Sequence, residues 1–308
     1  MNATRKCSGF THYNQFDFNI DFTKRNLFVF QVIMCLANIV LTASTIALNS
    51  VTAICYWRSI QLRRKMSNFL IMVLSLSDLA VGMVPTPLFA FSLAMDLPLT
   101  KLRIPCFLDE HVLSLLIFSG CSFKTLVVMN VERYLGIIHP FVHKTKVTKG
   151  RLMKCLIMLW FVVAAVVGFT FYNEDVLYKF VTTEVFLVIG VLVYIYGKIY
   201  LASKTSFVNM NRTNRNGAQD TSQSKRKVFL SNLKLAKTNL IVFFCFFICF
   251  FPGCFFVSFA SNPNDDAYIV SVFSYTLLLL NSSLNSLIFF WRNKSLREEA
   301  FAILKHAK

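Results

Sequence analysis

The 308-residue sequence has little glycine and proline, with 10 and 7 residues, and its 15 acidic residues are outnumbered by 32 lysines and arginines. By contrast, 56% of the residues are hydrophobic and 33 of them are phenylalanine. So apolar a composition excludes an ordinary soluble domain and predicts a membrane protein.

The sequence also lacks the patterns expected of a membrane enzyme or a secondary transporter. Its five histidines lie in loops or near the ends of apolar segments and show no metal-ligand spacing: His12, His111, His139, His143 and His306. There is no internal repeat, whereas many transporters are built from two related halves. We therefore predict that the chain is not an enzyme, and a small membrane transporter is the less favoured alternative.

Seven segments are apolar and long enough to cross a bilayer as helices, because a span needs about 20 mainly apolar residues. They lie at about 27–57, 67–95, 108–133, 151–172, 180–203, 235–260 and 266–290. Their continuity excludes the short alternating strands of a membrane barrel. The predicted fold is an all-α seven-transmembrane helix bundle over residues 27–290, preceded by an extracellular segment, 1–26.

The excess of positive charge predicts an orientation rather than nucleic-acid binding. The formal net charge is +17, and most lysines and arginines lie in the segments after spans one, three, five and seven. Cytoplasmic loops carry such an excess, so we expect a multi-pass plasma-membrane protein with its amino terminus outside and its carboxyl terminus in the cytoplasm. The polar segment 203–232 is expected to be a mobile cytoplasmic loop.

The two ends of the chain carry further signals. Residues 1–26 are polar and aromatic and contain no cleavable signal peptide, so the first span is expected to act as the targeting signal. Asn2-Ala3-Thr4 is a sequon that predicts glycosylation of Asn2. Residues 291–308 are expected to form a cytoplasmic amphipathic helix and tail on the inner membrane surface. Their apolar positions repeat with a helical period: Leu296, Ala300, Phe301 and Leu304.

Polar and ionisable residues inside the apolar spans are costly to keep there and therefore indicate function. Asp78 lies within span two, and Ser119 and Ser122 share one face of span three. Lys124 faces away from those serines and is expected to snorkel or to pair. At the end of the same span, Glu132-Arg133 is an adjacent pair in which the carboxylate can neutralise the arginine.

Spans six and seven each carry one notable feature. Pro252 lies inside span six, where a proline kinks an apolar helix and can act as a hinge. Asn281 and Asn285 are one turn apart on span seven and therefore share a face.

From Asn49 to Phe301 the chain resembles the rhodopsin-like (class A) G-protein-coupled receptors. The motifs that carry the resemblance are Asn49, Leu74-Ser75-Leu76-Ser77-Asp78, Glu132-Arg133-Tyr134, Trp160, Tyr196, Cys249-Phe250-Phe251-Pro252 and Asn285-Ser286-Leu287-Ile288-Phe289. Each motif alone is weak, but the set occupies the family's positions on seven spans. A weaker resemblance, to the melanocortin, cannabinoid and lysophospholipid receptor group, rests on a short, cysteine-free second outer loop and a fifth span without its proline.

The sequence also departs from the family's pattern. Phe250 replaces the span-six tryptophan, and Ser286 and Phe289 replace the proline and tyrosine of span seven. The second outer loop has no cysteine to pair with Cys106, and a Cys7–Cys106 disulfide is our hypothesis in its place.

The resemblance implies that an extracellular ligand shifts the bundle between two packings. Span six would swing about Pro252 and open an inner crevice for a heterotrimeric G protein, with arrestin as a further partner. Arg133 would then leave Glu132 and face Tyr196. Asn232 stands where many relatives carry an acid that holds this arginine, so we expect basal signalling. The residues implied in coupling are Glu132, Arg133, Tyr134, Tyr196, Phe250, Pro252, Asn285 and Phe289.

The resemblance also implies a sodium ion that acts as an allosteric modulator. Its expected ligands are hard oxygen atoms grouped around one carboxylate: Asp78, Ser122, Asn281 and Asn285. A water-filled polar network without an ion is the alternative. No other cofactor is expected.

The ligand is expected to bind near the outer ends of the spans. The predicted pocket residues are Asp109, Glu110, His111, Leu115, Ser119, Glu184, Phe250 and Tyr275. Glu184 is the deepest acid and favours a cationic ligand or a basic peptide. Leu115 stands where amine receptors carry an aspartate, which argues against an aminergic pocket. A receptor-like protein that binds ligand without coupling remains the alternative, because the Asn285-Ser286 motif is altered.

Overall fold

The computed structural model describes residues 25–95, 97, 107–170, 174–215, 220–259 and 265–306. All regular structure in this part of the chain is helical. The helices are α1 (Arg25–Arg58), α2 (Ile60–Arg64), α3 (Met66–Met83), α4 (Pro85–Met95), α5 (Phe107–Ile138), α6 (Pro140–Lys146), α7 (Lys149–Thr170), α8 (Glu174–Arg215), α9 (Asp220–Phe259), α10 (Asp265–Arg292) and α11 (Lys294–His306).

Seven stretches within the described residues are long and apolar enough to cross a membrane. They are Arg25–Arg58, Met66–Met95, Leu113–Ile138, Lys149–Phe169, Lys179–Thr205, Phe229–Gly253 and Tyr268–Arg292. The predicted all-α fold with seven membrane-spanning helices is confirmed. Large apolar side chains such as Phe161 and Phe186 are 73% and 74% exposed on the outside of the bundle, where a bilayer would cover them.

The second span divides into α3 and α4 at Val84 because a proline follows it. Pro85 has no backbone N–H, so the carbonyl of Val81 one turn earlier loses its helical donor. The hydroxyl of Thr86 replaces that donor and lies 2.9 Å from the Val81 oxygen. The break is therefore compensated within the helix itself, as proline sites in membrane helices require.

Spans five and six belong to helices longer than predicted. α8 continues to Arg215 and α9 begins at Asp220, so the expectation of a loop over 203–232 was wrong for most of that segment. At 1.5 Å per residue, 40 residues extend about 60 Å, twice the hydrocarbon thickness of a bilayer. The segment 203–232 contains no proline and a single glycine, Gly217, so its sequence has few residues that disfavour a helix.

The bundle interior has two apolar clusters. One includes Leu74, Leu126 and Phe289, and the other includes Val81 and Leu279. Between them, on α1, α3, α5 and α10, lies a set of buried polar residues that we call the polar band: Asn49, Asp78, Ser122, Asn281, Ser282, Asn285 and Ser286. The polar band is therefore enclosed by apolar packing on both sides.

The carboxyl-terminal helix α11 is amphipathic, as predicted. Leu296 is buried, and Ala300 and Ile303 pack against the same cluster of the bundle. Phe301, which the sequence pattern placed on the apolar face, is instead 61% exposed. The buried face thus follows the 4-then-3 spacing of Leu296, Ala300 and Ile303.

Candidate functional site

The inner end of α5 carries a buried ion pair. The guanidinium of Arg133 donates from Nε and Nη2 to the two carboxylate oxygens of Glu132. Glu132 is 1% exposed and Arg133 is 6% exposed. A bidentate pair of this kind is strong and fixes the geometry of both side chains. Removing either partner would leave a buried charge uncompensated, which is strongly unfavourable.

A third side chain, His143 of α6, completes this inner charge cluster. Its Nε2 atom lies 2.7 Å from Oε1 of Glu132. Because a carboxylate only accepts hydrogen bonds, Nε2 must carry the hydrogen. The sequence analysis missed this role. His143 lies beyond Pro140 on a separate short helix, so no helical period relates it to Glu132.

Helix α9 covers the inner charge cluster and is tied to α5 by neutral hydrogen bonds. The hydroxyl of Tyr196, on α8, lies 2.5 Å from Oδ1 of Asn130 and 3.0 Å from the carbonyl oxygen of Ala236. Nδ2 of Asn239 donates to the carbonyl oxygen of Met129 at 3.3 Å. Asn130 and Asn239 were not predicted.

Two predicted switch residues, Tyr134 and Phe289, lie in apolar or aromatic surroundings. The ring of Tyr134 packs against His139 and Tyr194, with centroids 5.7 and 6.3 Å away. Phe289 is buried in the inner apolar cluster. Without a hydroxyl, it cannot make the hydrogen bonds of the tyrosine that it replaces.

The polar band contains all four predicted sodium ligands, and hydrogen bonds join three of them. Asp78 is fully buried and accepts hydrogen bonds from Ser122 Oγ at 2.7 Å and from Asn285 Nδ2 at 2.9 Å. Asn281 lies one turn from Asn285 on α10. The Oδ1 atoms of Asn281 and Asn285 are buried and have no hydrogen-bond partner. Carboxylate, hydroxyl and amide oxygens are ligands that suit a hard cation, so the donor set fits sodium.

Ser286 explains how the altered motif of α10 is accommodated. Its hydroxyl donates to Oδ1 of Asn49 at 2.5 Å, while Nδ2 of Asn49 donates to the carbonyl oxygen of Ser282 at 3.2 Å. The serine that replaces the expected proline therefore joins α10 to α1 through a buried hydrogen bond.

Above the polar band lies a central cavity of about 110 Å³ between α5, α7, α8, α9 and α10. Four predicted pocket residues line it: Leu115, Ser119, Glu184 and Phe250. Tyr275 instead packs against Phe89 of α4, with ring centroids 5.8 Å apart. Asp109, Glu110 and His111 lie in the first turns of α5, and their side chains are outside the described part of the structure.

The central cavity contains one ion pair. Nζ of Lys124 contacts Oε1 of Glu184, and both side chains are largely shielded, with 18% and 23% exposed. Lys124 therefore compensates the charge of Glu184, the acid that we expected to favour a cationic ligand or a basic peptide. Lys124 takes the paired state that the sequence analysis considered.

The amino-acid sequence can now be compared with those of known proteins. The family described as "7 transmembrane receptor (rhodopsin family)" matches residues 48–178, which include the inner charge pair and three of the seven residues of the polar band. Residues 48–178 of this chain are therefore similar to the rhodopsin-like receptors, in agreement with the motifs found in the sequence. The similar proteins are receptors and not enzymes, which agrees with the prediction made from the sequence.

Similar receptors extend the match beyond residue 178. The receptor is 25% identical to human cannabinoid receptor 2 over 277 residues, which cover 79% of this chain and 75% of that one. It is 25% identical to human 5-hydroxytryptamine receptor 4 over 311 residues, covering 87% and 78%. It is 23% identical to the tachykinin-like peptides receptor 86C of Drosophila melanogaster, covering 76% of this chain but only 51% of that receptor.

Three predicted sites of the receptor lie outside the described residues. They are the sequon at Asn2 and the two cysteines of the proposed disulfide, Cys7 and Cys106. Their glycosylation and pairing therefore stay predictions.

Proposed function

We propose that the receptor transmits the binding of an extracellular ligand to a heterotrimeric G protein, with its amino terminus outside the cell. The observation that supports this most is the buried Glu132–Arg133 pair beneath α9. Glu132 and Arg133 border the same small cavity as Leu235 and Asn239 of α9. Withdrawal of α9 would expose Arg133 to a cytoplasmic partner.

The hydrogen bonds that hold α9 on α5 are weak, so we expect measurable basal signalling. Neutral hydrogen bonds each contribute about 0.5–1.5 kcal/mol, roughly half the value of bonds to charged groups. Tyr196 and Asn239 make bonds of the neutral kind, and Asn232 provides no carboxylate in their place. The closed arrangement is therefore less strongly held than one with an ionic contact between the same helices.

A row of phenylalanines relates the central cavity to this inner contact. Phe250 lines the cavity and stacks on Phe246, with ring centroids 5.7 Å apart. Phe246 stacks on Phe123 of α5 at 4.7 Å, and Phe123 lies 6.1 Å from Phe243. A ligand that moves Phe250 must therefore shift the packing of α9 on α5 below Pro252. Close-packed interiors transmit such displacements.

The names of the similar receptors do not select a ligand for this one. They refer to a cannabinoid, to tachykinin-like peptides and to 5-hydroxytryptamine, which share no chemistry. The cationic ligand or basic peptide expected from Glu184 loses its main support, since Lys124 compensates that charge.

The decisive experiment compares basal G-protein dissociation of the wild type with that of Arg133→Ala, in cells and without added ligand. We expect basal dissociation that falls to background in Arg133→Ala, because the exposed guanidinium is the group offered to the G protein. Lys294→Ala is the matched control, since Lys294 is 78% exposed and pairs only with Glu298 one turn away on α11. Equal signals from the wild type and Arg133→Ala at the same surface expression would favour the non-coupling alternative.

We further propose that Asp78, Ser122, Asn281 and Asn285 bind a sodium ion that stabilises the closed bundle. The two unpartnered amide oxygens support this, because a cation would give each of them a partner. Sodium is expected to raise the thermal unfolding midpoint of the purified wild type above its value in an equal concentration of N-methylglucamine. Asp78→Asn keeps the side-chain shape but removes the charge and should abolish the difference. A sodium effect that survives in Asp78→Asn would place the ion elsewhere.

A further inference from the structure

The central cavity extends to the lipid-facing surface of the bundle between α7 and α8. Val162 of α7 and Phe180 of α8 both line it, and they are 48% and 43% exposed. Phe250 lines the inner side of the same cavity. The cavity therefore connects the bilayer side of the receptor with the aromatic row that packs against α5.

The Lys124–Glu184 pair lies within the membrane-spanning part of this cavity. Lys124 is 11 residues into the span Leu113–Ile138, about 16 Å along the helix axis, and so lies near its middle. Glu184 is five residues into the span Lys179–Thr205, about 8 Å along its axis. Lys124 is the deeper group, and its charge would be costly to leave without a partner.

We infer that the cavity binds a single-chain amphiphile with a carboxylic acid head, which enters from the bilayer between α7 and α8 and takes the place of Glu184 at Lys124. The apolar walls suit the part of a hydrocarbon chain next to the head, while the remainder of the chain would lie in the bilayer between α7 and α8. Lys124 is complementary to an anionic head. This inference rests on the proposed receptor function and deepens it by naming the chemical class of the ligand.

The exchange leaves the charge of the site unchanged. The amphiphile enters as the neutral acid and transfers its proton to the carboxylate of Glu184. The resulting ligand carboxylate pairs with Lys124, while Glu184 becomes a neutral acid. No unpaired charge is left in the membrane, which is the condition that makes disruption of a buried ion pair tolerable. An amphiphile without an acidic head cannot make this exchange.

The test uses the full-length receptor in phosphatidylcholine nanodiscs, with a photoreactive diazirine analogue of palmitic acid as the probe. The corresponding alcohol and amine are used in parallel. We expect the acid to label residues that line the cavity, in competition with oleate. Lys124→Gln should reduce this labelling about tenfold, because it removes a hydrogen bond between two charged groups. Glu184→Gln should retain or increase it, because Lys124 then has no competing carboxylate and the proton of the ligand can pass to an uncharged Lys124 amine or to water instead of to Glu184.

A second variant tests the entrance without touching the ion pair. Val162→Trp adds bulk at a half-exposed position of the cavity and should reduce labelling by the acid. Its matched control is Phe161→Trp, at a neighbouring residue that is 73% exposed. This comparison remains decisive if Lys124→Gln does not fold, as judged by its thermal unfolding midpoint.

Several outcomes would overturn the inference. Equal labelling by the acid and the alcohol, preferential labelling by the amine, or unchanged labelling in Val162→Trp would each do so. Competition by phosphatidylglycerol in the nanodisc would assign the site to a structural lipid instead. The readout needs no G protein, so it is independent of the Arg133→Ala experiment. Selective labelling without basal coupling would keep the binding site and reject the coupling, and the opposite result would reject only the binding site.

Discussion

Glu132 has two partners at the inner end of the bundle, whereas the sequence motif shows only one. Its carboxylate is 1% exposed and contacts both Arg133 and His143. Each contact satisfies part of the carboxylate's hydrogen-bonding capacity, which lowers the cost of burying its charge. His143 therefore stabilises the Glu132–Arg133 pair from a helix that lies outside the membrane spans.

Replacing His143 tests this role. His143→Phe keeps an aromatic ring at this position but removes the hydrogen bond to Glu132, which weakens the hold of the carboxylate on Arg133. Hydrogen bonds to charged groups contribute about 1.5–3 kcal/mol, so basal G-protein dissociation should rise by about tenfold or more where the assay is not saturated. His139→Phe is the matched control, because the described contacts of His139 involve Tyr134 rather than Glu132. Unchanged or lower basal dissociation in His143→Phe would contradict the role.

Residue types were easier to predict than residue pairs. Asp78, Ser122 and Asn285 could be grouped in advance because family motifs place them at one level of the bundle. Lys124 and Glu184 are 60 positions apart and belong to no motif, so their pairing depends on how α5 and α8 pack. The same applies to His143 and Glu132, where an intervening turn at His139 separates the two helices.

At the scale of helices, apolar length predicted the membrane spans, but it did not predict where the helices end. α8 and α9 continue beyond their apolar parts through polar sequence that contains no proline. Hydrophobicity measures the fit to a bilayer, whereas backbone hydrogen bonds continue until a residue interrupts them. Predictions based on apolar runs therefore shorten helices that leave the membrane.

Close packing between α1 and α3 depends on a glycine that no motif marks. A Cβ atom on Gly82 would lie 2.9 Å from Cγ2 and 3.1 Å from Cβ of Thr45. Thr45 cannot easily move, since its hydroxyl is 2.6 Å from that of Ser283. Gly82 therefore sets how closely the two helices approach.

Gly82→Ala should lower the thermal stability of the receptor purified in detergent. Overpacking costs about 1–3 kcal/mol, against about 1 kcal/mol gained from the higher helix propensity of alanine. Gly190→Ala is the control, because it lies on exposed α8 and a Cβ atom there meets nothing within 4 Å. We expect the unfolding midpoint of Gly82→Ala to fall and that of Gly190→Ala to stay or rise. Equal shifts of the unfolding midpoint in both variants would show that helix propensity alone, and not overpacking, determines the effect of the substitution.

At the scale of the whole molecule, the structure is a closed bundle in which α9 rests on α5. The central cavity, the row of phenylalanines and the inner charge cluster follow one another along these two helices. The polar band lies beside the row and joins α1, α3, α5 and α10. A change in either the cavity or the polar band therefore reaches the same contact between α9 and α5.

The hydrogen bond from Asn239 to the Met129 carbonyl tests how firmly that contact is held. Asn239→Leu keeps the side-chain size but cannot donate, which leaves α9 held by the Tyr196 bridge and by apolar packing. The loss of a neutral hydrogen bond, about 0.5–1.5 kcal/mol, should raise the open population and basal G-protein dissociation about two- to tenfold. Leu240→Ala, at the 42% exposed neighbouring position, controls for general loosening of α9.

Fluorescent non-natural amino acids at the exposed positions Phe141 and Leu230 would report the distance between α6 and α9 without a G protein. A longer distance in Asn239→Leu, but not in Leu240→Ala, is the expected result. An unchanged distance with increased dissociation would mean that Asn239 acts on the G protein itself rather than on the closure of the bundle.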